Sequence, residues 1–299
     1  MAERRATHSG TWYSDSCIIM YLTIAQELSL ELTEWLNAVD HDQLSGVRAI
    51  IGPHAGYAYS GSSAAYAYKM IDISSISRVF ILGPSHKVYS DSISLSSCVK
   101  YDTPLGTLWL DLETITALSK TLEFTTMDLK VDEAEHSIEL HLPFIAKIFK
   151  DKPIKIVPMM VGCLENHKLD KYGKILAPYL DDAANLFVIS SDFCHWGNRF
   201  SYTYRDSNGP IHESIERLDR KGMEIIERMD MEEFERYLEE TQNTICGRFP
   251  IQTFLSCIKH LDSRGRKFEL KFNHYAQSEK VKAIHQSSVS YASAYFTIT

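Results

Sequence analysis

The sequence predicts a single α/β domain in which helices flank a mostly parallel central sheet. Apolar runs of strand length recur at residues 48–51, 78–82, 154–161 and 185–190, and segments with helical spacing lie between them. Such alternation is typical of a parallel sheet that is covered on both faces. Because 44% of the residues are apolar and no Pro-, Gly- or Ser-rich linker divides the chain, we expect one domain over residues 1–299.

Shorter patterns predict the remaining elements. Residues 92–99 and 106–110 read as short strands that form an antiparallel addition, and residues 288–298 alternate in the same way. Helical spacing occurs at 62–71, 112–119, 137–149, 169–180, 212–228 and 231–240. We expect Pro143 to bend the third of these helices or to lie in its first turn.

Composition and charge exclude several classes of partner. The net charge of −8 and the absence of any long basic run argue against binding to nucleic acid or to an anionic membrane surface. The apolar run at residues 17–25 is too short to span a bilayer, so we interpret it as the start of a helix that continues through Leu36. Six scattered cysteines without a C-x-x-C pair favour reduced thiols and a cytoplasmic location, with the nucleus also open.

Three predicted strands end at a tight turn that is followed by a histidine. The histidines are His54, His86 and His195, and the third loop also carries Asp192. Loops that leave the carboxyl ends of neighbouring parallel strands converge on one crevice. We therefore expect these four side chains to lie in a single site.

Several roles are open to these residues. Two imidazoles supply half of the ligands of a transition metal, and iron, copper and zinc all accept them. Asp192 could be a carboxylate ligand of the metal or a group that orients a histidine. His195 could be a metal ligand or a general base. The structural alternatives are loop histidines bonded to backbone, and an Asp192 that caps a helical turn while His195 stacks on Trp196.

Two further segments contain candidate residues. Cys246 precedes a predicted helix whose dipole, together with Arg248, would favour the thiolate, although a buried unreactive thiol is the commoner case. His136 and His141 are five residues apart and thus occupy different helical faces, so we expect one of them to reach the crevice together with Glu139.

Other enzyme classes lack their usual motifs in this sequence. It contains no G-x-S-x-G elbow, no G-x-x-x-x-G-K-[ST] loop and no G-x-G-x-x-G fingerprint. Acyl transfer by serine, nucleotide hydrolysis and dinucleotide-dependent redox chemistry are therefore disfavoured.

Over nearly its whole length the chain resembles the Memo family, the mediators of ErbB2-driven cell motility. The strings that carry the resemblance are PHAGY at 53–57, ILGPSH at 81–86, DEAEHSIELHLPF at 132–144, SSDFCHWG at 190–197 and NTICGRFPI at 243–251. The family is described as passing almost directly from an aromatic N-terminal strap into its first helix. We therefore interpret residues 17–25 as an insertion in this chain.

The resemblance implies a fold similar to class III non-haem iron extradiol dioxygenases. It also implies metal ligands at His54, His86 and Cys246, with Asp192 and His195 beside them. A thiolate ligand favours copper, especially Cu(I), over zinc, while Fe(II) stays open. Further implications are a phosphotyrosine-containing receptor segment as partner, and roles in cell motility and cytoskeletal organisation.

Three functions follow as hypotheses. The first is a redox protein that holds copper or iron, uses Asp192 and His195 as catalytic groups and takes oxygen as co-substrate. The second is a phosphotyrosine-peptide adaptor without turnover on a dioxygenase-like scaffold. The third is a metal-dependent hydrolase with Asp192 or His195 as base.

Overall fold

The central sheet of the computed structural model is built from the apolar runs that the sequence marks as strands. The structure describes residues 2–13, 21–206 and 208–299, with the side chains of residues 21–24 left out. The strands are β1 (Ala2–Arg4), β2 (Val47–Gly52), β3 (Arg78–Pro84), β4 (Ile93–Leu95), β5 (Cys98–Thr103), β6 (Gly106–Leu110), β7 (Thr125–Thr126), β8 (Lys155–Val161), β9 (Asn185–Ser190), β10 (His195–Trp196), β11 (Phe268–Gln277) and β12 (Ser288–Ile298).

Helices connect and cover these strands. They are α1 (Tyr21–Ala38), α2 (Tyr57–Lys69), α3 (Leu112–Ser119), α4 (Leu129–Ala134), α5 (His136–Glu139), α6 (Leu142–Ile148), α7 (Asn166–Asp181), α8 (Ile211–Glu227), α9 (Met231–Thr241) and α10 (Arg248–Lys259). None of these described helices combines the length and the apolar character needed to cross a bilayer.

Strand order within the sheet is β1-β5-β6-β8-β3-β9-β2-β12-β10, and β11 pairs with β12. The five strands from β6 to β2 run parallel to one another. Strands β3, β8 and β9 are apolar and buried along almost their whole length, as expected when helices cover both faces. The predicted α/β domain with a mostly parallel central sheet is therefore confirmed.

Several predicted boundaries differ from the structure. The single helix predicted at 137–149 is two short helices, α5 and α6, with Pro143 in the first turn of α6. The strand predicted at 92–99 is interrupted at residues 96–97, so that β4 pairs with β8 and β5 pairs with β6. The predicted start of the first helix at residue 17 lies outside the described residues.

Strand β11 was not predicted, because its pattern changes phase along its length. Phe268, Leu270 and Phe272 alternate as a strand should, but a bulge between Phe272 and His274 then shifts the register against β12. A bulge adds one residue and turns the following side chains to the opposite face. Polar residues follow it, including Tyr275, so the second half of the strand resembles a loop in the sequence.

Candidate metal site

Three adjacent parallel strands bring the predicted site residues together. Strand β9 lies between β2 and β3 and pairs in parallel with both. Their carboxyl ends meet at one edge of the sheet, where His54 follows β2, His86 follows β3, and the loop 191–197 follows β9. The ring centroids of His54 and His86 are 5.2 Å apart.

His54 is held in one tautomer by a serine. Its side chain is buried, and its Nδ1 lies 2.6 Å from Ser190 Oγ. The Ser190 hydroxyl donates its only proton to the carbonyl of Ser137, so its oxygen accepts from His54 Nδ1–H. The lone pair of the ring is then on Nε2, which lies 3.1 Å from Cys246 Sγ.

His86 is held in the same way by a carboxylate. Its Nδ1 lies 2.9 Å from Glu135 Oε1, and its backbone amide donates to Glu135 Oε2 at 2.6 Å. Burial alone would raise the pKa of Glu135, but the hydrogen bonds from the ring and amide of His86 and from the Ser137 amide lower it to about 2. An ionised Glu135 accepts from Nδ1–H and leaves the lone pair of His86 on Nε2.

Cys246 lies two residues before α10, in a turn that contacts the loop after β9. The Asp192 amide donates to its sulfur at 3.2 Å, and Gly247 bonds to Ser191 Oγ at 3.1 Å. Any Cβ at Gly247 would lie 2.4 Å from the Ser190 carbonyl oxygen, so only glycine permits this close approach.

The expected thiolate at Cys246 is not favoured by the protein alone. Burial raises the pKa of the Cys246 thiol well above its usual value, and the negative charge of Asp192 raises it further. Arg248, which was expected to lower it, lies over the Phe249 ring on the surface. In the metal-free protein the raised pKa favours the alternative of a buried thiol over the thiolate, because burial disfavours the charged form.

Asp192 and His195 lie beside these three residues. Asp192 Oδ1 accepts from the amides of His54 and Ala55, and its Oδ2 lies 4.0 Å from His54 Nε2. Burial raises the pKa of Asp192, although the neighbouring His195 opposes the shift. The structural alternative of a helix cap fails, since a short strand and no helix follows Asp192.

His195 presents its Nε2 lone pair as His54 and His86 do. Its Nδ1 lies 2.9 Å from the Phe193 carbonyl and 3.1 Å from the Thr244 carbonyl, and both oxygens can only accept. Its ring meets Phe200 edge-on at 5.2 Å and does not stack on Trp196 as the structural alternative required. All three histidines that follow the strands thus have Nδ1–H bound to oxygen.

His136 also reaches the crevice, as the sequence predicted for one of the two histidines in its segment. Its ring stacks on His86 at 4.5 Å and contacts His54 at 5.5 Å, and burial lowers its pKa to about 4. Trp12, from the N-terminal segment, covers it at 4.4 Å. The other histidine, His141, is buried away from the site and bonded to Tyr68.

Glu139 does not accompany His136 into the crevice, which corrects the second half of that prediction. Its carboxylate binds Arg4 at 2.8 Å, the His8 ring at 2.8 Å and the Tyr13 hydroxyl at 2.9 Å. Glu139 thereby anchors the N-terminal segment that carries Trp12. Glu135 occupies the position that was expected for Glu139. It does so because its backbone is extended between α4 and α5.

A cavity of about 400 Å³ opens next to the site. Its lining includes Asp192, His195 and His136 together with Trp12, Tyr59, Phe200, Tyr291 and Arg199. Small molecules generally bind in concave sites that carry a few polar groups. The arrangement can therefore hold a ligand against the residues that the sequence selected.

The group formed by His54, His86 and Cys246 fits a transition-metal ion. One ligand atom from each of His54, His86 and Cys246 lies within 4.8 Å of the others. Burial and the neighbouring imidazoles lower the pKa of His54, so its ring is neutral, as a metal ligand must be. Fixed Nδ1–H bonds on both histidines are the outer contacts that metal-binding imidazoles usually have. Ligand atoms of Asp192, His195 and Cys246 also lie within 4.8 Å of one another. The same is true of His86, Glu135 and His136.

Comparison with known proteins gives matches over nearly the whole chain. The family model described as "Memo-like protein" matches residues 4–295. The chain is 46% identical to Protein MEMO1 of Homo sapiens over 299 residues, which covers 99% of this chain and 97% of the relative. It is 47% identical to Protein MEMO1 of Xenopus laevis, over 97% of this chain and 95% of the relative.

Two other proteins are similar to the chain to different degrees. Protein memo-1 homolog of Caenorhabditis elegans is 46% identical, over 97% of this chain and 81% of the relative. A crystal structure of an uncharacterized protein from Escherichia coli K12 covers 82% of this chain and 98% of its own, with 11% identity and a TM-score of 0.46.

Proposed function

Because this chain belongs to the Memo family, we propose that it is a metal-binding redox protein that acts as a signalling effector of receptor tyrosine kinases. In this proposal His54, His86 and Cys246 hold Cu(I) or Fe(II), with zinc less favoured. The biological roles proposed are cell motility and cytoskeletal organisation, in the cytoplasm and also in the nucleus.

One observation carries the metal part of the proposal. In His54 and in His86 the Nδ1–H group is bonded to an oxygen, so the lone pair of the ring lies on Nε2. The sulfur of Cys246 lies 3.1 Å from Nε2 of His54. Two neutral imidazoles and one sulfur form a soft ligand set that suits copper and also accepts iron. The Cys246 proton must leave when a cation binds, because only the thiolate is a strong ligand.

Asp192 and His195 are the proposed catalytic groups. Asp192 Oδ1 is occupied by two amides, so Oδ2 is the atom that can hold a proton at the edge of the cavity. The Nε2 of His195 can accept a proton from a bound molecule, because its Nδ1–H is already donated to carbonyl oxygens. Copper or iron, when bound, supplies one-electron chemistry toward a co-substrate. We propose that this co-substrate is oxygen.

Metal content tests this proposal directly. Anaerobically purified protein is titrated with Cu(I) against a chromogenic chelator, and separately with Fe(II). We expect one ion per chain in the wild type and a loss of affinity in His54→Ala, His86→Ala and Cys246→Ser. His167→Ala is the matched control, because this imidazole on α7 is 68% exposed and belongs to none of the described groups that could hold an ion.

The outcomes separate clearly. Weak and equal binding by the wild type and all three variants would sink the metal proposal. Tight binding of Zn(II) in a parallel titration, with no binding of Cu(I) or Fe(II), would favour the hydrolase over the redox protein. Loss of binding in His167→Ala would mean that the variants report general unfolding.

A second candidate function is a phosphotyrosine-peptide adaptor, and the rim of the cavity favours it. Arg199 is exposed there, and the aromatic side chains of Tyr59, Phe200 and Tyr291 are among its neighbours around the cavity. A guanidinium binds phosphate oxygens in a bidentate manner, while aromatic rings pack on a phenyl ring. In this candidate the same crevice binds a receptor segment without turnover.

Peptide binding tests the adaptor independently of metal. Fluorescence anisotropy compares a labelled phosphotyrosine peptide with its unphosphorylated twin. We expect tighter binding of the phosphorylated peptide by the wild type, and loss of that difference in Arg199→Ala but not in Arg264→Ala, a surface arginine paired with Asp262. Equal binding of both peptides by the wild type excludes the adaptor.

A further inference from the structure

A buried aspartate lies beneath the point where two segments of the candidate site meet. Asp219, on α8, is completely buried. One of these segments is the loop 191–197, which carries Asp192 and His195. The other is 243–247, which carries Cys246.

The carboxylate of Asp219 bonds to both segments. Its Oδ1 accepts from the Cys194 amide at 3.2 Å and from the Asn243 side-chain amide at 3.0 Å. Its Oδ2 accepts from the Tyr275 hydroxyl of β11 at 3.0 Å. One oxygen atom thus joins the residue before His195 to a residue three positions before Cys246.

Direct contacts between the two segments depend on this alignment. Thr244 Oγ1 accepts from the His195 amide at 2.7 Å, and the Thr244 carbonyl holds His195 Nδ1–H. The Asp192 amide donates to Cys246 Sγ. A shift of the 243–247 segment would therefore change both the tautomer support of His195 and the position of the sulfur.

A buried carboxylate bound to neutral donors is costly to the fold. The donors of Asp219 are the Ser290 hydroxyl, a carboxamide, a phenol and a backbone amide, and burial raises its pKa to about 6 in spite of these bonds. An apolar side chain of similar volume would avoid that cost. What the carboxylate supplies is an acceptor shared by two segments that are far apart in the sequence.

We propose that Asp219 is a positioning residue that fixes the Cys246 segment against the loop carrying Asp192 and His195. The consequence for metal binding rests on the proposed function, whereas the alignment of the two segments does not. Outer contacts of this kind commonly change metal affinity by about 10- to 100-fold when removed.

Three variants test the proposal. Asp219→Ala leaves the Cys194 amide without its acceptor and leaves the Asn243 side-chain amide with the Tyr237 hydroxyl as its remaining acceptor. Asp219→Asn keeps one carbonyl oxygen for both donors and turns its NH₂ toward the Tyr275 oxygen, which can accept, so it should rescue the arrangement. Leu118→Ala, at a buried position of α3, is the control for a general loss of core packing.

Two readouts are measured on the full chain. Co(II) serves as the metal probe, because a cobalt–thiolate bond gives a charge-transfer absorption that reports ligation by a cysteine. We expect Asp219→Ala to bind Co(II) about 10- to 100-fold more weakly with a reduced thiolate band, and Asp219→Asn and Leu118→Ala to resemble the wild type. Hydrogen exchange on metal-free protein should show faster exchange in peptides covering 191–197 and 243–247 in Asp219→Ala only.

The exchange readout keeps the two proposals apart. If the wild type gives no cobalt–thiolate band, the proposed metal function fails, and the exchange result alone decides whether Asp219 aligns the segments. The inference is overturned if Asp219→Ala exchanges like the wild type in both segments. It is also overturned if Leu118→Ala weakens the band and accelerates exchange there to the same extent.

Discussion

Replacing Glu135 by glutamine should remove a pH-dependent contribution to stability. The carboxylate is 1% exposed and accepts from the His86 ring, the His86 amide and the Ser137 amide. Burial opposes ionisation, yet these bonds lower its pKa from 4.5 to about 2. Since one pKa unit corresponds to about 1.4 kcal/mol, ionised Glu135 stabilises the fold by about 3 kcal/mol at neutral pH.

The sign of the pH dependence follows from the lowered pKa. The unfolded chain takes up a proton at Glu135 near its ordinary value of 4.5, whereas the folded chain does so only near 2. The contribution is therefore complete above about pH 5.5 and is lost as the pH falls, with about 2 kcal/mol gone by pH 3. Glu135→Gln cannot lose this contribution, because its side chain does not titrate.

Urea unfolding of metal-free protein between pH 7 and pH 3 measures the effect. We expect the difference in unfolding free energy between wild type and Glu135→Gln to be largest at pH 7 and to shrink steadily below pH 5. Glu113→Gln, an exposed substitution in α3, is the control and should change stability by less than about 0.5 kcal/mol. A difference that stays constant from pH 7 to pH 3 would refute the reasoning.

Other perturbations have equally definite outcomes. Because burial raises the pKa of the Cys246 thiol, Cu(I) binding should release about one proton, and the affinity should rise about tenfold per pH unit from 6.5 to 8.5. An affinity that does not change with pH in a chelator competition would contradict this. Gly83→Ala places a Cβ 2.6 Å from Ser137 Oγ, so urea unfolding should show an unfolding free energy that is lower by about 1–3 kcal/mol. An unchanged unfolding midpoint would mean that the neighbouring residues move aside without cost. Arg4→Ala leaves the buried carboxylates of Asp132 and Glu139 without their cation and should lower the unfolding free energy by about 3–5 kcal/mol. Arg264→Ala, at an exposed position, should lower it little. Equal effects of the two substitutions would show that the buried ion pairs do not stabilise the N-terminal segment.

Much of the site could be predicted from the sequence because strand ends carry their own signals. An apolar run followed by Gly-Pro or Pro marks both the end of a strand and the start of a turn, and this placed His54 and His86 correctly. Parallel neighbours bring such ends to one edge, so the meeting of these loops with the one that carries Asp192 also followed.

The roles of Glu135 and Glu139 could not be assigned in the same way. Helical periodicity assumes a continuous helix over 137–149, but the chain is extended at Glu135 and broken again before α6. Which carboxylate faces His86 depends on those breaks. They are set by packing, including that of Gly83 against Ser137 and Ile138.

The sequence by itself determined the α/β architecture, the histidines at the strand ends, and the family. Only the tertiary structure decided that Glu135 supports His86, that Trp12 covers His136, that Cys246 is a neutral thiol in the absence of metal, and that Asp219 joins two distant segments. The physical reason is that strand and turn signals are local, whereas ionisation and hydrogen-bond partners depend on desolvation and on contacts between residues far apart in the chain.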